Sequence, residues 1–190
     1  MNLILASASP RRAELLSQVG ISYEIIEPEL EEKLDRGEKP CHIALALAEE
    51  KARSVVQKLD SGVVLAADTL VVYRGELLGK PVDQDDARRM LSLLSGSRHE
   101  VITGLVLIDA ASGLLEKDYA KTTVWMKSLS EAEISDYIKG GESLDKAGAY
   151  GIQGKAALFV DRIEGCYFNV VGLPLSLLYD MMQKLQFAMQ

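Results

Sequence analysis

The chain has 190 residues, 48% hydrophobic and 26% charged, proportions that exclude disorder and a fibrous repeat. That length suits one large domain or two small lobes sharing a core. The formal charge of −7, from 21 Lys+Arg against 28 Asp+Glu, opposes a coat for long nucleic acid, yet it is compatible with a local basic cluster around a short polyanion.

From the N-terminus, Leu3 to Ala6 reads as a short buried strand. Ser7-Ala8-Ser9-Pro10 turns the chain into a helix over 11–19, with Pro10 in its first turn and Gly20 as C-cap. Residues 23–26 form a second strand candidate. Over 42–59, Ala44, Leu45, Ala48, Ala52, Val55, Val56 and Leu59 make one helical apolar stripe. Lys51 lies at the edge of that stripe, where its ammonium can reach over the buried side. Val63 to Ala67 is a continuous apolar run, as in an interior strand, and 70–73 continues it or hairpins from it. Asp83 caps a helix over 83–94. Residues 101–108 and 114–125 read as strands. Ser130 and Glu133 have capping-box spacing at the head of a helix to Lys139. Residues 158–163 form a last strand, and Pro174 opens a final helix with Leu177, Leu178, Met181 and Leu185 on its apolar face. Interleaved strands and helices give a mixed α/β class.

Cys41 and Cys166 have neither metal spacing nor a CxxC partner, so two free thiols in a reducing compartment are expected. No basic segment precedes the short apolar run Leu3 to Ala6, as a signal peptide would need. The uncharged stretch from Gly165 to Tyr179 contains Pro174 and falls short of the ~20 residues of a spanning helix. A cytoplasmic chain without a membrane partner is the expectation.

Familiar phosphate motifs do not fit. Gly75 to Pro81 is one residue short of a P-loop, and Pro81 stands where Ser/Thr would hold Mg²⁺. Gly148, Gly151 and Gly154 recur every third residue, unlike a dinucleotide fingerprint. Two histidines, His42 and His99, are too few for most histidine-built metal centres, so carboxylates would have to hold any metal, favouring Mg²⁺ or Mn²⁺.

Four segments and one acidic run carry candidate chemistry. Ser7-Ala8-Ser9-Pro10-Arg11-Arg12 combines hydroxyls, a helix N-terminus and two arginines, which suits phosphate, though a capped helix with solvated arginines has the same pattern. Asp68, directly after the apolar run Val63 to Ala67 and before Thr69, sits where α/β proteins place ligands, or else caps its own turn. Gly79-Lys80-Pro81 offers a lysine in extended geometry to a phosphate or to solvent. Asp145 to Gly154 packs three glycines into seven residues, which implies unusual backbone angles or a close approach. Gln153, inside it, has a donor and an acceptor that suit a base edge. Glu29, Glu31 and Glu32 form a solvated acidic face, or one of them completes a metal site with Asp68.

Taken jointly, these segments resemble the Maf family of nucleoside triphosphate pyrophosphatases. The match runs through Leu5-Ala-Ser-Ala-Ser-Pro-Arg-Arg12, Glu31-Glu32-Lys33, Lys51-Ala52, Ala67-Asp68-Thr69, Gly79-Lys80-Pro81, Ser95-Gly96 with His99, Asp145 to Gly154 and Gly172-Leu173-Pro174. It spans essentially the whole chain as one domain over 1–190, without departure in the matched motifs. The resemblance implies a Maf/ITPase-like mixed α/β fold of two lobes around an extended twisted sheet, with a nucleotide in the cleft between them. It implies hydrolysis of a nucleoside triphosphate to monophosphate and pyrophosphate with a divalent cation, Mg²⁺ or Mn²⁺, with Co²⁺ as a further candidate. The segment Asp145 to Gly154 resembles the branch acting on dTTP and UTP. By the same resemblance, Asp68 is the catalytic carboxylate and, with Glu31, the metal ligand. Ser7, Ser9, Arg11, Arg12, Lys51 and Lys80 bind phosphates, while Arg12, Thr69 and Gln153 match positions of substrate choice. The family resemblance also suggests a homodimer, and one alternative role, regulation of cell division or septum formation through a partner.

Overall fold

In the computed structural model, residues 2–29 and 38–185 are described. The elements in order are β1 (Leu3–Leu5), α1 (Pro10–Gln18), β2 (Glu24–Ile25), α2 (Pro40–Val56), β3 (Val63–Tyr73), β4 (Glu76–Leu78) and α3 (Gln84–Leu94). They continue with β5 (Arg98–Asp109), β6 (Leu115–Met126), α4 (Glu131–Lys139), β7 (Val160–Glu164), α5 (Tyr167–Val171) and α6 (Leu175–Lys184). Two 3-10 turns, Ala147–Ala149 and Gly154–Leu158, lie between α4 and β7. Among the described residues the strands form one mixed seven-stranded sheet in the order β2-β1-β3-β5-β6-β7, with β4 paired to β3. The mixed α/β class stands. Cys41 and Cys166 carry free thiols, and among the described residues no helix is long and apolar enough to cross a membrane.

The chain divides into two compact units. The first comprises Met1–Asp68, Thr103–Ala120 and Gly172–Gln190, the second Thr69–Ile102 and Lys121–Val171. Strands β3, β5 and β6 contribute residues to both. In the first unit β1 runs parallel to β2 and β3, with Leu5 opposite Leu65. Helix α2 presents Ala48 and Ala52, both fully buried, toward the core that holds Ile4, Val64, Ala66 and Val106, and its Ala44, also fully buried, lies against Gly104. Small residues on that face let the helix lie close to the strands. The approach is tightest at Gly104 of β5: a Cβ there would stand 2.5 Å from the Ala44 carbonyl carbon. In the second unit, Met90, Leu91 and Leu94 of α3 and Ile134 and Ile138 of α4 close over Val71, Leu78, Val101 and Val124.

Local signals explain most elements. The Asp83 carboxylate accepts the Asp86 N–H at 2.8 Å, and Ser130 and Glu133 complete the capping box of α4. Two expectations change and one open alternative is settled. Residues 63–73 form one strand, so Asp68 lies inside β3 and not after its end; the carboxylate is tolerated there because it has a cationic partner. The hairpin follows at Arg74-Gly75, where both residues have positive φ (50° and 84°), the geometry of a two-residue primed turn joining β3 to β4. The last strand begins at Val160, because 154–158 winds into a 3-10 turn that leaves Leu158 exposed. Helix α5 went unread in the sequence because its five residues cannot show a helical period.

Gly104→Ala is expected to lower stability by about 3 kcal/mol, since the new methyl meets backbone atoms of α2 that cannot move alone. Gly79→Ala, with open space around its Cα, is the control whose urea midpoint stays near wild type.

Candidate active site

In the first unit, β1 and β3 deliver the key residues to one end of a parallel pair. The Ala6 N–H donates to the Leu65 carbonyl at 2.8 Å, and β1 then stops. Ser7 follows at once and is 4% exposed. Its Oγ accepts the Ser9 N–H at 3.1 Å and Arg12 Nη1 at 3.0 Å, while Arg12 Nε donates to the Gly172 carbonyl at 2.8 Å. Arg12 thus joins the β1–α1 turn to the segment that opens α6. Ser9 occupies the N-cap of α1, but its side chain makes no cap bond. The plain capped-helix reading therefore loses its expected hydrogen bond. Arg11 and Arg12, both half-buried, stand in the first helical turn, where the positive end of the helix dipole opposes them. An anion at that end reverses the sign of the interaction.

Asp68 lies three residues beyond Leu65, past the last β1 partner, and is 7% exposed. Lys51 of α2 places Nζ 2.5 Å from Asp68 Oδ1, with side-chain exposures of 12% and 9%. The lysine expected to reach over the buried face of its helix does so, and its target is this carboxylate. Among the described residues Asp68 Oδ2 accepts no hydrogen bond, which suits it to a proton or a cation.

In the second unit, Thr69 is half-buried and Lys80 exposed. The Gly148 N–H donates to the Gly79 carbonyl at 3.0 Å, fixing the turn that carries Lys80 against the glycine-rich segment. All three glycines have a reason. A Cβ on Gly148 would meet Val71 at 3.0 Å, on Gly151 the Lys146 stem at 2.8 Å, and on Gly154 the Glu142 carboxylate at 2.7 Å. Gly148 and Gly154 also have φ of 69°. Between them Ala149 sits at φ 62°, a conformation that costs a non-glycine residue about 1–2 kcal/mol. Half-buried Gln153 precedes the second 3-10 turn without capping it, so its amide is not consumed there.

Sequence reading placed His99 in a matched motif without a role. It is 2% exposed on β5, and its Nε2 lies 2.6 Å from the Tyr150 hydroxyl. Burial pushes the imidazole down to about 4 and the Tyr150 phenol up. His99 is therefore neutral at physiological pH. No sequence signal finds this pair, because its members lie 51 positions apart.

Glu31, with Glu32 and Lys33, lies outside the described residues. Glu29 pairs with Lys58 at 2.9 Å on an exposed face, as a solvated acidic run would. Among the described residues no group of three or more His, Cys, Asp or Glu side chains is placed to hold a metal ion. The donor chemistry still fits a hard divalent cation. Asp68 offers one carboxylate oxygen, and Mg²⁺ characteristically binds one or two carboxylates plus substrate phosphates and water.

A family profile described as Maf-like protein matches residues 2–185. The dTTP/UTP pyrophosphatase of Syntrophomonas wolfei subsp. wolfei is 51% identical over 180 residues, covering 95% of each chain. The dTTP/UTP pyrophosphatase of Clostridioides difficile is 50% identical over 184 residues, 97% of this chain and 95% of that one. Among solved structures, the Staphylococcus aureus Ham1 protein superposes with a TM-score of 0.50 at 12% identity, covering 97% of this chain and 99% of that one. At that identity the likeness concerns the fold alone.

Lys51→Met is expected to cost about 3–5 kcal/mol, because it leaves a buried carboxylate unpaired. Adding Asp68→Asn is expected to restore most of it, and urea midpoints of both variants at pH 7 check the pair. A single-variant loss below about 1 kcal/mol would instead match an exposed ion pair.

His99 gives a second prediction. The unfolded chain takes up its proton near pH 6.5, the folded chain only at about 4. Its effect is absent above pH 6.5, and stability falls as pH drops from 6.5 toward 4, by at most about 3 kcal/mol. The pH slope of unfolding free energy in that window is expected to flatten in His99→Gln.

Proposed function

The chain belongs to the Maf family, and from that membership we propose that it hydrolyses dTTP and UTP to the monophosphate and pyrophosphate. The observation that carries the chemistry is the buried Lys51–Asp68 pair at the end of the parallel strands that also deliver Ser7 and Arg12. The substrates come from the relatives, which share about half of this sequence across nearly its whole length.

In the proposed reaction water attacks the α phosphorus, the bond to the α–β bridging oxygen breaks, and pyrophosphate departs with the electron pair. Such chemistry is mainly positioning and neutralisation of charge. Ser7, Ser9, Arg11 and Arg12 hold phosphate oxygens, and Lys80 adds a further cation. The Asp68 carboxylate accepts the proton of the attacking water, while Lys51, bonded to Oδ1, fixes its orientation. A free aspartate is a weak base for bulk water, its pKa being near 4, so we propose a divalent cofactor, Mg²⁺ or Mn²⁺ with Co²⁺ as a substitute. Asp68 would hold the cation, together with Glu31. When bound, it neutralises phosphate charge and makes its water more acidic. Thr69 and Gln153 select the base: the Gln153 amide complements the N3–H and adjacent carbonyl of uracil or thymine.

Pyrophosphate release measured over dTTP, UTP, CTP, ATP and GTP with each of the three metals tests this reading. The expected outcome is highest kcat/KM for dTTP and UTP, loss of turnover in excess EDTA, and a drop of about 10²–10⁴-fold in Asp68→Asn. Near-normal turnover in that variant would remove Asp68 from the mechanism, and activity in EDTA would remove the cation.

A further inference from the structure

Building on that reading, we propose that His99 is a positioning residue for nucleotide selection: through its hydrogen bond to Tyr150 it fixes the 148–153 segment that presents Gln153. Tyr150 stands three positions before Gln153, on the one buried aromatic anchor of that segment. Its hydroxyl lies 2.6 Å from His99 Nε2, and the two rings meet edge to face, 5.3 Å between centroids at 85°. The backbone before it is not relaxed, because Ala149 is held at positive φ. Such a conformation persists only where surrounding contacts over-determine it. Three further bonds serve that end: Gly148 N–H to the Gly79 carbonyl, Ala149 N–H to the Lys146 carbonyl, and Lys146 Nζ to the Glu142 carbonyl. The tie from Tyr150 reaches outside the loop, to β5 in the sheet.

His99 Nδ1 is buried without a hydrogen-bond partner among the described residues. An unpaired buried ring nitrogen is unfavourable, and a hydrocarbon side chain would fill the same space without it. The polar edge of the ring therefore has its return at Tyr150. Because Gly148 is also bonded to Gly79, loosening the segment disturbs Lys80 together with Gln153. Neither His99 nor Tyr150 need touch the nucleotide for its selection to depend on them.

Three variants separate this role from simple core packing. Tyr150→Phe keeps the ring and deletes the hydroxyl; His99→Leu deletes both ring nitrogens; His99→Gln keeps an amide able to reach the hydroxyl. The readouts are the ratio of kcat/KM for UTP over CTP, and amide hydrogen exchange across 148–153 compared with α4. Tyr150→Phe and His99→Leu are each expected to cut the ratio about tenfold, mainly through KM for UTP, and to speed exchange in 148–153 but not in α4. His99→Gln is expected to stay within about twofold of wild type. A ratio unchanged in both deletion variants, or unchanged exchange, overturns the proposal even where melting temperatures fall. Should His99→Leu not fold, Tyr150→Phe decides alone. A wild type that releases no pyrophosphate from dTTP or UTP defeats the functional reading itself, and the selective role falls with it; a selective wild type beside unaltered variants defeats only the role of His99.

Discussion

Two opposite charges taken out of water, Lys51 and Asp68, constrain everything around them in the first unit. Removing each ion from solvent costs several kcal/mol, and their attraction offsets that only in good geometry. The 2.5 Å contact depends on how closely α2 approaches the strands. That distance is set by Ala44, Ala48 and Ala52 on the helix and by the missing Cβ of Gly104. A larger residue at any of these positions lifts the helix and lengthens the ion pair. On the strand side, β1 ends at Leu5, so its ladder stops short of Asp68. The core packing and the candidate catalytic carboxylate are thus a single arrangement.

The helices differ in a way that marks the site. Helix α3 has Asp85 and Asp86 in its first turn and an Asp83 cap; α4 has Glu131, Glu133 and a full capping box. Both follow the rule that negative charge belongs at a helix N-terminus. Helix α1 departs furthest from it. Its first turn has no acid, it carries Arg11 and Arg12 instead, and its N-cap serine makes no cap bond. Helices α2 and α6 also lack a first-turn acid and a side-chain cap, but among these three only α1 carries arginines in its first turn. The Ser7 hydroxyl, accepting from Ser9 and Arg12, already converges donors on that turn. In the reaction proposed above, a phosphate at that turn would meet those donors, which reconciles a chain charge of −7 with an anionic substrate.

What was legible in the sequence was local. The caps at Asp83 and Ser130, the apolar stripe of α2 and the reach of Lys51 each need fewer than twenty neighbouring residues to be seen; the caps and the lysine stand, and the stripe stands at Ala44, Ala48, Ala52 and Val55, while Leu59 falls beyond the helix and Ile43 and Leu47 join its buried face. The exact course of β3 was not legible, because Asp68 and Thr69 interrupt its hydrophobic run with polar residues whose burial depends on Lys51 from another element. The partner on α2 is what permits a carboxylate inside the strand. The short helix α5 escaped for want of length, and the Arg74-Gly75 hairpin because arginine seldom adopts positive φ.

The glycine-rich loop shows both limits at once. Its spacing correctly announced a backbone held in unusual angles or in close approach, and the structure divides those reasons residue by residue. Gly151 answers only to the Lys146 stem, whereas Gly148 and Gly154 combine close approach with positive φ. Two of the three neighbours, Lys146 and Glu142, belong to the loop's own entry, so its shape is largely written in the thirteen consecutive residues from Glu142 to Gly154. Its anchorage is not. Tyr150 meets His99 only because β5 passes beneath the loop, and a strand's neighbours across a sheet are a property of topology, not of sequence distance. A loop with a local shape and a remote anchor can keep its form while changing its placement, and placement is what a base-selecting amide requires.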